Sequence, residues 1–388
     1  MKTLCIAGKN NIAVNVLDYA VGKYADIEII AVMNKNETYK DSWQRSFGLY
    51  CLENNIRILK LEDIYSIRDL VFLSLEFDRI IIPSRFESPN LFNIHFSLLP
   101  KYKGCNTSII PILNDEAESG VTLHRMRRGI DTGEIIAQKK VDILYDDTSF
   151  DLYRKLIDAG SELAVEYLDR LIKNDFTETP QSCVHSDYYS RAEIDYGNLQ
   201  PDLNRTAWQI HNQIRAFAFR PYQMMTFMGS SLIGSRITNS VSQKKPGTVL
   251  EETDTHFLVA TIDYDMLIYK DVLNQIIAAM NEHDNERAKR LCEFGRIIHE
   301  KNENGDSPAS IAERENNSEM LEFFAGITLY EHEINRYTQP TANSQQPTAN
   351  RYNLSFYTYR KNNTFFRKKF LEKVFRIHQG EFQCTCAS

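Results

Sequence analysis

The chain has 388 residues, of which 43% are hydrophobic, enough for two or three domains with a sizeable core. Its formal net charge of -7 argues against nonspecific nucleic-acid binding as the main role, and no apolar run reaches the roughly 20 residues that a membrane span needs. The seven cysteines are too irregularly spaced for a disulfide framework. The apolar start at residues 4–7 meets Gly8 and Lys9 at once, which is typical of a first strand and not of a signal peptide. We therefore expect a cytoplasmic protein that acts on neither nucleic acid nor membranes.

The N-terminal part alternates short apolar runs with amphipathic stretches. Strands are predicted over 4–7, 27–32, 56–59 and 79–82, and a helical pattern begins near Ile12. This alternation predicts an α/β fold with a mostly parallel sheet and helices on both faces. Ligands of such sheets bind at the carboxyl ends of the strands. The first turn lacks the G-x-G-x-x-G spacing, so a dinucleotide cofactor is not expected.

The stretch 92–131 carries three side chains suited to acyl transfer. Asn93 and His95 alternate along a predicted strand, so both side chains lie on one face. A second predicted strand, 120–126, leads into a glycine-containing turn that carries Asp131. Here an imidazole base, an amide that stabilises an oxyanion and an orienting carboxylate can meet. Taken singly, each residue also fits a structural role as a buried histidine, a cap or a turn, and asparagine is a poor metal ligand.

The middle of the chain contains one long helix and several short strands. Thr148 is the predicted cap of an amphipathic helix that ends near Leu171 and closes a catalytic domain over residues 1–180. A further helix is predicted over 208–217. The short strands are expected at 224–228, 231–238, 247–251 and 256–261. Together they predict a β-rich subdomain over residues 181–265.

The C-terminal third of the chain has a different sequence pattern. Residues 305–312 and 317–324 resemble the two helices of an ankyrin repeat, and the helical patterns at 272–280 and 285–292 resemble a degenerate partner repeat. A single repeat cannot bury its apolar face alone, so an ankyrin-like module over 266–337 is expected to pack on the body of the protein. Residues 338–388 combine a duplicated polar linker with a basic, aromatic tail, interpreted as a solvated terminal helix, with docking or nucleic-acid contact as alternatives.

Three sequence features, in this order, resemble the catalytic segment of the folate-dependent formyltransferases. They are Asn-x-His-x-Ser-Leu-Leu-Pro at 93–100, a glycine at 104 and Asp-x-Gly at 131–133. The resemblance implies a Rossmann-like catalytic domain, N10-formyltetrahydrofolate as formyl donor, and no metal. It makes Asn93, His95 and Asp131 the catalytic residues. The segments that cradle the pterin in this family are matched by Ser84, Arg85 and Phe86 and by Arg128, Gly129 and Ile130.

Within that family the chain is similar to the bacterial sugar nucleotide N-formyltransferases, on residues 74–78, 94–97 and 214–222. This branch implies a dTDP-3-amino-3,6-dideoxyhexose as acceptor, of gluco or galacto configuration, for O-antigen and lipopolysaccharide synthesis. It also implies a homodimer formed through the β subdomain and, because some members carry an ankyrin module, a second dTDP-sugar site there. Candidate contacts to the sugar nucleotide are Lys9, Asn10, Arg215, Arg220 and Tyr222, the arginines for the pyrophosphate and the tyrosine for thymine.

Several other functions remain open at this level. A dTDP-4-amino-4,6-dideoxyglucose N-formyltransferase differs only in the position of the reacting amine. A methionyl-tRNA formyltransferase and a formyltetrahydrofolate hydrolase use the same three catalytic residues with a different acceptor. From another class, the chain can be a non-catalytic ankyrin adaptor, although a single pair of repeats beside an intact site disfavours it.

Overall fold

The structure is a computed structural model that describes residues 2–220 and 222–327. The predicted linker and basic tail, 338–388, lie outside the described residues, as do the last ten residues predicted for the ankyrin-like module. Within the described part, no helix combines the length and the apolar character that crossing a bilayer requires.

Strands and helices alternate through the first 175 residues. Farther along, a group of strands up to residue 270 precedes a group of helices. The strands are Thr3–Gly8 (β1), Glu28–Met33 (β2), Arg57–Ile58 (β3), Leu70–Leu75 (β4), Leu91–His95 (β5), Lys103–Gly104 (β6), Glu118–Arg125 (β7), Ile135–Asp142 (β8), Tyr188–Tyr189 (β9), Thr226–Phe227 (β10), Ser230–Ile237 (β11), Val249–Glu252 (β12), His256–Val259 (β13) and Met266–Lys270 (β14). The α-helices are Asn10–Lys23 (α1), Phe47–Glu53 (α2), Ile110–Leu113 (α3), Ser149–Lys173 (α4), Ala207–Ala216 (α5), Leu273–Asn281 (α6), Asn285–Leu291 (α7), Pro308–Arg314 (α8) and the described residues 318–327 of one more (α9). Short 3₁₀ helices are Leu61–Ile64, Pro83–Arg85, Arg191–Glu193 and Gly295–His299.

A seven-stranded sheet in the order β3-β2-β1-β4-β5-β7-β8 forms the centre of the catalytic part. The pairs from β3 through β5 are parallel, whereas β7 pairs antiparallel with both β5 and β8. The prediction of an α/β fold with a mostly parallel sheet is therefore confirmed. Because β7 runs antiparallel to β5, it begins beside the carboxyl end of β5 and ends beside its amino end, which places His124 opposite Asn93.

One face of this sheet carries the long helices. Apolar side chains of α1 and α4, such as Ile12 and Leu156, pack with Phe92 of β5 in one buried cluster. Thr148 caps α4 through a reciprocal pair of hydrogen bonds with Asp151, as the sequence predicts. The opposite face is covered by the 3₁₀ helix Leu61–Ile64 and by side chains from residues 81–91, so the prediction of helices on both faces is wrong for the described residues.

The predicted strand at 79–82 is also wrong. Its apolar β-branched run is typical of a strand, but β4 at Leu70–Leu75 occupies the place between β1 and β5. Residues 79–82 instead form an irregular surface segment in which Ile80 is 77% exposed and Ile82 is 45% exposed. The apolar run alone does not place residues 79–82 in the sheet, because pairing with the neighbouring strands decides which run becomes a strand.

The β-rich part is a five-stranded sheet in the order β10-β11-β14-β13-β12. Four of these strands lie close to their predicted positions, and the fifth, β14, pairs with both β11 and β13. The sheet therefore extends past residue 265, the predicted limit of the β subdomain. Helices α6 to α9 follow at the predicted places, and their apolar sides share a buried cluster with Ile233 and Tyr269 of this sheet.

The end of β1 leaves no room for a side chain. A Cβ atom on Gly8 lies only 1.9 Å from the carbonyl oxygen of Leu75, whereas a Cβ on Gly22 in α1 has nothing within 4 Å. Gly8→Ala is expected to lower the free energy of unfolding by about 1–3 kcal/mol, because β1 and β4 must separate to admit the methyl group. Gly22→Ala is the control and should raise it by up to about 1 kcal/mol. Urea unfolding of both variants measures the difference; equal stability of Gly8→Ala and the parent protein contradicts this packing.

Candidate active site

The site forms where β5 ends and β7 passes beside it. Asn93 and His95 project from one side of β5, and Asn93 lies directly opposite His124 of β7. The chain then leaves β7 and turns through residues 126–133, which places Asp131 beside His95 and His124. The structure therefore brings Asn93, His95 and Asp131 together, in agreement with the period-two argument, and adds His124.

His95 is buried and has defined partners at both ring nitrogens. Its Nε2 lies 2.8 Å from the carbonyl oxygen of Tyr102, so Nε2 carries the hydrogen and donates it. Its Nδ1 lies 3.5 Å from Oδ2 of Asp131. Nδ1 is therefore the atom that can accept a proton, and the carboxylate stands where it stabilises the resulting imidazolium.

Asp131 is held by the backbone of the loop that follows β5. The amide of Gly104 donates to Oδ2 of Asp131 at 3.0 Å. Gly104 has φ +90°, and a Cβ there would lie 2.3 Å from the carbonyl oxygen of Tyr189. Only glycine therefore presents this amide to the carboxylate. Asp131 itself adopts φ 52°, and Gln181 fastens its turn by donating to the carbonyl oxygens of Asp131 and Gly133 at 2.8 and 2.7 Å.

His124 connects Asn93 to Asp131. Its Nδ1–H donates to the carbonyl oxygen of Arg125 at 2.9 Å, which leaves Nε2 to accept from Nδ2 of Asn93 at 3.1 Å. The same Nε2 lies 3.5 Å from Oδ1 of Asp131. One N–H of the Asn93 amide is thus committed to His124, and the other has no partner among the described residues. That second N–H is the donor available to a ligand oxygen.

Burial and charge set the protonation states at this edge. Burial lowers the pKa of His95, against the opposing effect of Asp131, so the imidazole is neutral at neutral pH. Burial acts to raise the pKa of Asp131, but the positive charge of His95 and His124 in their protonated forms and the hydrogen bond from Gly104 outweigh it and lower the pKa to about 2. A neutral base beside an ionised carboxylate is the state that general-base catalysis requires.

A second polar group lies across the end of β4. Glu76 adopts φ 58°, and its carboxylate accepts the hydroxyl hydrogen of Tyr153, which lies 2.7 Å from each carboxylate oxygen. Burial raises the pKa of Glu76, and the nearby charge of Lys9 opposes that rise. Asn10, the first residue of α1, lies 3.5 Å from the Tyr153 hydroxyl through its amide nitrogen. Lys9 and Asn10 are therefore at the same edge as the three catalytic candidates, as predicted.

The two arginines predicted to bind pyrophosphate do not face this edge. Arg215 is 4% exposed, and its guanidinium donates to Asn212 and to the carbonyl oxygens of Leu144 and Asp147. Arg220 binds Asp271 through two nitrogens and Glu300 through a third. Both predictions are corrected, because buried carboxylates and carbonyl groups already occupy each guanidinium.

Tyr222 does lie at a surface suited to an aromatic ligand. Its side chain is 62% exposed and packs beside Phe219 and Trp43, with ring centroids 4.9 and 6.2 Å away. Phe150 and Tyr153 of α4 contact the same tryptophan at 5.2 and 6.0 Å. We call these five residues the aromatic wall.

The predicted pterin segments lie on two loops at the carboxyl ends of the strands. Ser84 and Arg85 are exposed on the 3₁₀ helix after β4, whereas Phe86 is buried against Tyr65 and Phe72, so only its backbone can face a ligand. The other segment, Arg128, Gly129 and Ile130, is exposed directly before Asp131. In residues 2–220 and 222–327, no three histidine, cysteine or acidic side chains are grouped as metal ligands.

The residues that sequence reasoning missed are His124, Glu76, Tyr153 and Trp43. His124 had a usable signal, because it lies in the predicted strand 120–126 that leads to Asp131. The other three come from separate elements, so only tertiary structure assembles them.

Comparison with known proteins identifies relatives over most of the chain. The profile of the family described as Formyl transferase matches residues 69–168, and that described as Formyl transferase, C-terminal domain, matches residues 199–275. WlaRD, a sugar 3N-formyl transferase crystallised in the presence of dTDP and 5-N-formyl-THF, is 43% identical, with a TM-score of 0.65 over 70% of this chain and 98% of its own. An N-formyltransferase from Helicobacter canadensis, in complex with folinic acid and dTDP-3-aminofucose, is 42% identical, with the same score over 70% of this chain and all of its own.

A curated relative matches a shorter region. A methionyl-tRNA formyltransferase from Synechococcus sp. (strain JA-3-3Ab) is 37% identical over 150 residues, which are 38% of this chain and 46% of that protein. The chain therefore spans less than half the length of that relative.

The ionisation of His95 can be measured without any substrate. Its imidazole should titrate below the ordinary histidine pKa of about 6.5, and Asp131→Asn should lower the midpoint further, because the carboxylate favours the charged imidazole. The measurement is an NMR pH titration of the His95 ring carbons. Asp78→Asn, which removes a carboxylate bound to the amide of Lys35, is the control and should leave the midpoint in place. An unchanged or raised midpoint in Asp131→Asn is incompatible with the geometry described.

Proposed function

This chain belongs to the formyl transferase family and is an enzyme that transfers formyl groups, and from that premise we propose that N10-formyltetrahydrofolate is its donor and a dTDP-3-amino-3,6-dideoxyhexose its acceptor. The observation that carries the proposal is the neutral His95 beside the ionised Asp131, with a free N–H of Asn93 at the same edge. The two solved sugar N-formyltransferases that resemble the chain support the choice of acceptor class.

Each of the three side chains has one role in this reaction. The amine of the sugar attacks the formyl carbon while His95 accepts a proton from the amine at Nδ1. The free N–H of Asn93 donates to the oxygen on which negative charge develops, an interaction typically worth about 3–4 kcal/mol at the barrier. Asp131 stabilises the imidazolium, which then returns the proton to the departing nitrogen of the folate. No covalent bond to the protein is required.

The loops on the far side of β4 and β5 suit the donor. Ile80 and Ile82 on one loop and Ile130 on the other expose apolar surface, and the exposed backbone of residues 128–130 can hydrogen-bond a flat pterin. Ser84, Arg85, Arg128 and Gly129 remain proposed contacts there, with Phe86 acting through its backbone.

The near side of β4 suits a sugar nucleotide. Lys9 precedes the first turn of α1, so its ammonium group and the helix N-terminus together favour a diphosphate. The aromatic wall offers exposed ring surface for thymine, chiefly at Tyr222. Glu76 lies between these two groups, where its carboxylate can accept hydrogen bonds from the sugar.

Rival acceptors differ in what they would need from this site. A 4-amino sugar uses the same nucleotide contacts and differs only in which amine reaches His95. A methionyl-tRNA acceptor is favoured by the curated relative that matches the chain, but the net charge of -7 disfavours a long polyanion. Participation in O-antigen and lipopolysaccharide synthesis is the metabolic setting that a formylated dTDP-sugar fits.

The remaining features of the architecture are also proposals. We propose a division into a catalytic domain, 1–180, a β-rich subdomain, 181–265 extended by β14, and an ankyrin-like module to residue 337. The β subdomain is the proposed dimer surface. A second dTDP-sugar site in the module stays a proposal, since the module presents Asp306 beside its Ser-Pro turn and that carboxylate pairs with Arg314.

The first experiment is turnover of N10-formyltetrahydrofolate with a panel of acceptors. We expect rapid formylation of a dTDP-3-amino-3,6-dideoxyhexose, slower reaction with dTDP-4-amino-4,6-dideoxyglucose, and none with methionyl-tRNA. His95→Ala should lower kcat by about 10²- to 10⁴-fold, because the amine loses its base. The proposal fails if folate turnover is the same with and without every dTDP-amino sugar.

Binding of dTDP itself tests the placement of the nucleotide. Lys9→Met should weaken dTDP binding by about 10- to 100-fold, because a charge-assisted contact to the diphosphate is lost. Lys23→Met, at the other end of α1 where the ammonium pairs with Asp169, is the matched control and should leave binding unchanged. Calorimetry gives the affinity and also the number of sites per chain. Two sites support nucleotide binding by the ankyrin-like module, one site removes it, and equal affinities of the two variants reject the placement at Lys9.

A further inference from the structure

A partly buried ion-pair network joins the helical module to the first turn of α4. Arg296 lies in the 3₁₀ helix Gly295–His299, and its Nη2 is 2.6 Å from Oδ2 of Asp151. The same nitrogen donates to Oγ1 of Thr148 at 3.0 Å. Thr148 and Asp151 are the two members of the α4 capping box. A guanidinium from the C-terminal third of the chain therefore binds the start of a catalytic-domain helix.

Glu300 extends this network to Arg220, in the segment between α5 and β10. Its Oε2 accepts from Nε of Arg220 at 3.0 Å, and its Oε1 lies 3.5 Å from Nε of Arg296. Arg220 is also bound by Asp271, at 2.5 and 3.0 Å. One carboxylate of the module thus bridges two arginines, and we call Arg220, Arg296 and Glu300 the charged clamp.

The clamp involves the two segments that carry most of the aromatic wall. Its Arg296 arm binds the turn of α4 that carries Phe150 and Tyr153. Its Arg220 arm lies between Phe219 and Tyr222 in sequence. Phe150 and Tyr153 contact Phe219 across the gap, with ring centroids 5.2 and 5.5 Å apart. The clamp therefore connects α4, which carries Phe150 and Tyr153, to the segment that carries Phe219 and Tyr222. These are four of the five rings of the wall.

Burial makes these ion pairs sensitive to loss of either partner. The side chains of Arg296 and Glu300 are 22% and 18% exposed, whereas Glu319 in the module's Lys289–Glu319 pair is 54% exposed. Burial works to lower the pKa of Arg296, but Asp151 and Glu300 outweigh it and raise that pKa. Removing one partner of a buried pair leaves the other uncompensated, whereas removing one partner of an exposed pair has little effect.

We infer that the helical module positions the nucleotide-binding wall of the catalytic site, with Arg296 and Glu300 as positioning residues that act through Thr148, Asp151 and Arg220. The inference rests on the proposed function only in assigning the sugar nucleotide to this wall. The matched family profiles end at residue 275, so the module's two contributions to the clamp, Arg296 and Glu300, lie beyond them.

The kinetic test compares two isosteric changes in the module of the full-length protein. Glu300→Gln should raise the KM for the dTDP-amino sugar by about 3- to 30-fold, while kcat and the KM for the folate change less than about twofold. Glu319→Gln is the matched control and should change none of the three. Arg296→Met should act like Glu300→Gln, and Arg296→Lys, which keeps the charge but loses the forked contact, should recover part of the effect.

A second readout is independent of any substrate. The chain contains two tryptophans, Trp43 and Trp208, so Trp208→Phe leaves Trp43 in the aromatic wall as the sole indole. In that background, Glu300→Gln should shift Trp43 emission to longer wavelength and increase its quenching by acrylamide, because the wall opens to water. Glu319→Gln should leave both signals unchanged.

The two readouts separate the inference from the proposed function. If the parent enzyme formylates no dTDP-amino sugar, the proposed function fails, and the Trp43 signals still decide whether the clamp positions the wall. The inference is overturned if Glu300→Gln and Glu319→Gln give the same Trp43 signals. It is also overturned if, in an enzyme that formylates these sugars, Glu300→Gln lowers only the melting temperature and the active fraction while the acceptor KM stays constant.

Discussion

The buried carboxylate of Asp131 is the charge around which the catalytic edge is arranged. It lies 3.5 Å from a ring nitrogen of His95 and of His124 and accepts the Gly104 amide at 3.0 Å. A buried anion is costly unless charge and hydrogen bonds compensate it. The amide of Gly104 supplies one such hydrogen bond, and the imidazole of His95 supplies compensating charge once it accepts a proton. Because Asp131 is ionised and His95 is neutral, His95 is ready to accept a proton without rearrangement.

In the proposed function, the sheet separates two kinds of ligand surface. The exposed isoleucines and the backbone of residues 128–130 are proposed to bind the flat donor, and Lys9, Glu76 and the aromatic wall are proposed to bind the charged, aromatic acceptor. His95 and Asn93 lie at the boundary on a rigid strand. Placing the reacting groups on a strand, with the ligand surfaces on loops and helix ends, holds the chemistry fixed while specificity can vary.

Three arginines serve as internal ties in this protein. Arg215 holds residues 144 and 147 against α5. Arg296 joins the helical module to the start of α4 through Asp151 and Thr148, and Arg220 joins the segment after α5 to the module through Glu300. The planar guanidinium suits this use, since it stays charged when buried and can satisfy several acceptors at once. The helical module is thus part of one ionic framework with the catalytic domain, as well as sharing an apolar cluster with the β-rich sheet.

The sequence alone determined the features that depend on order and periodicity. Four features follow from local spacing. They are the pattern around Asn93, His95 and Asp131, the cap of α4 at Thr148, the mostly parallel sheet and the helices after residue 272. Tertiary structure decided which apolar run is a strand, so that 70–75 lies within the sheet, whereas 79–82 lies outside it with Ile80 and Ile82 exposed. It also decided that Arg215 and Arg220 bind carbonyl groups and carboxylates, and that Glu76, Tyr153 and Trp43 meet. The physical reason is that periodicity records which face of one element is buried, whereas burial of a whole segment and the partner of a charge depend on elements far away in the chain.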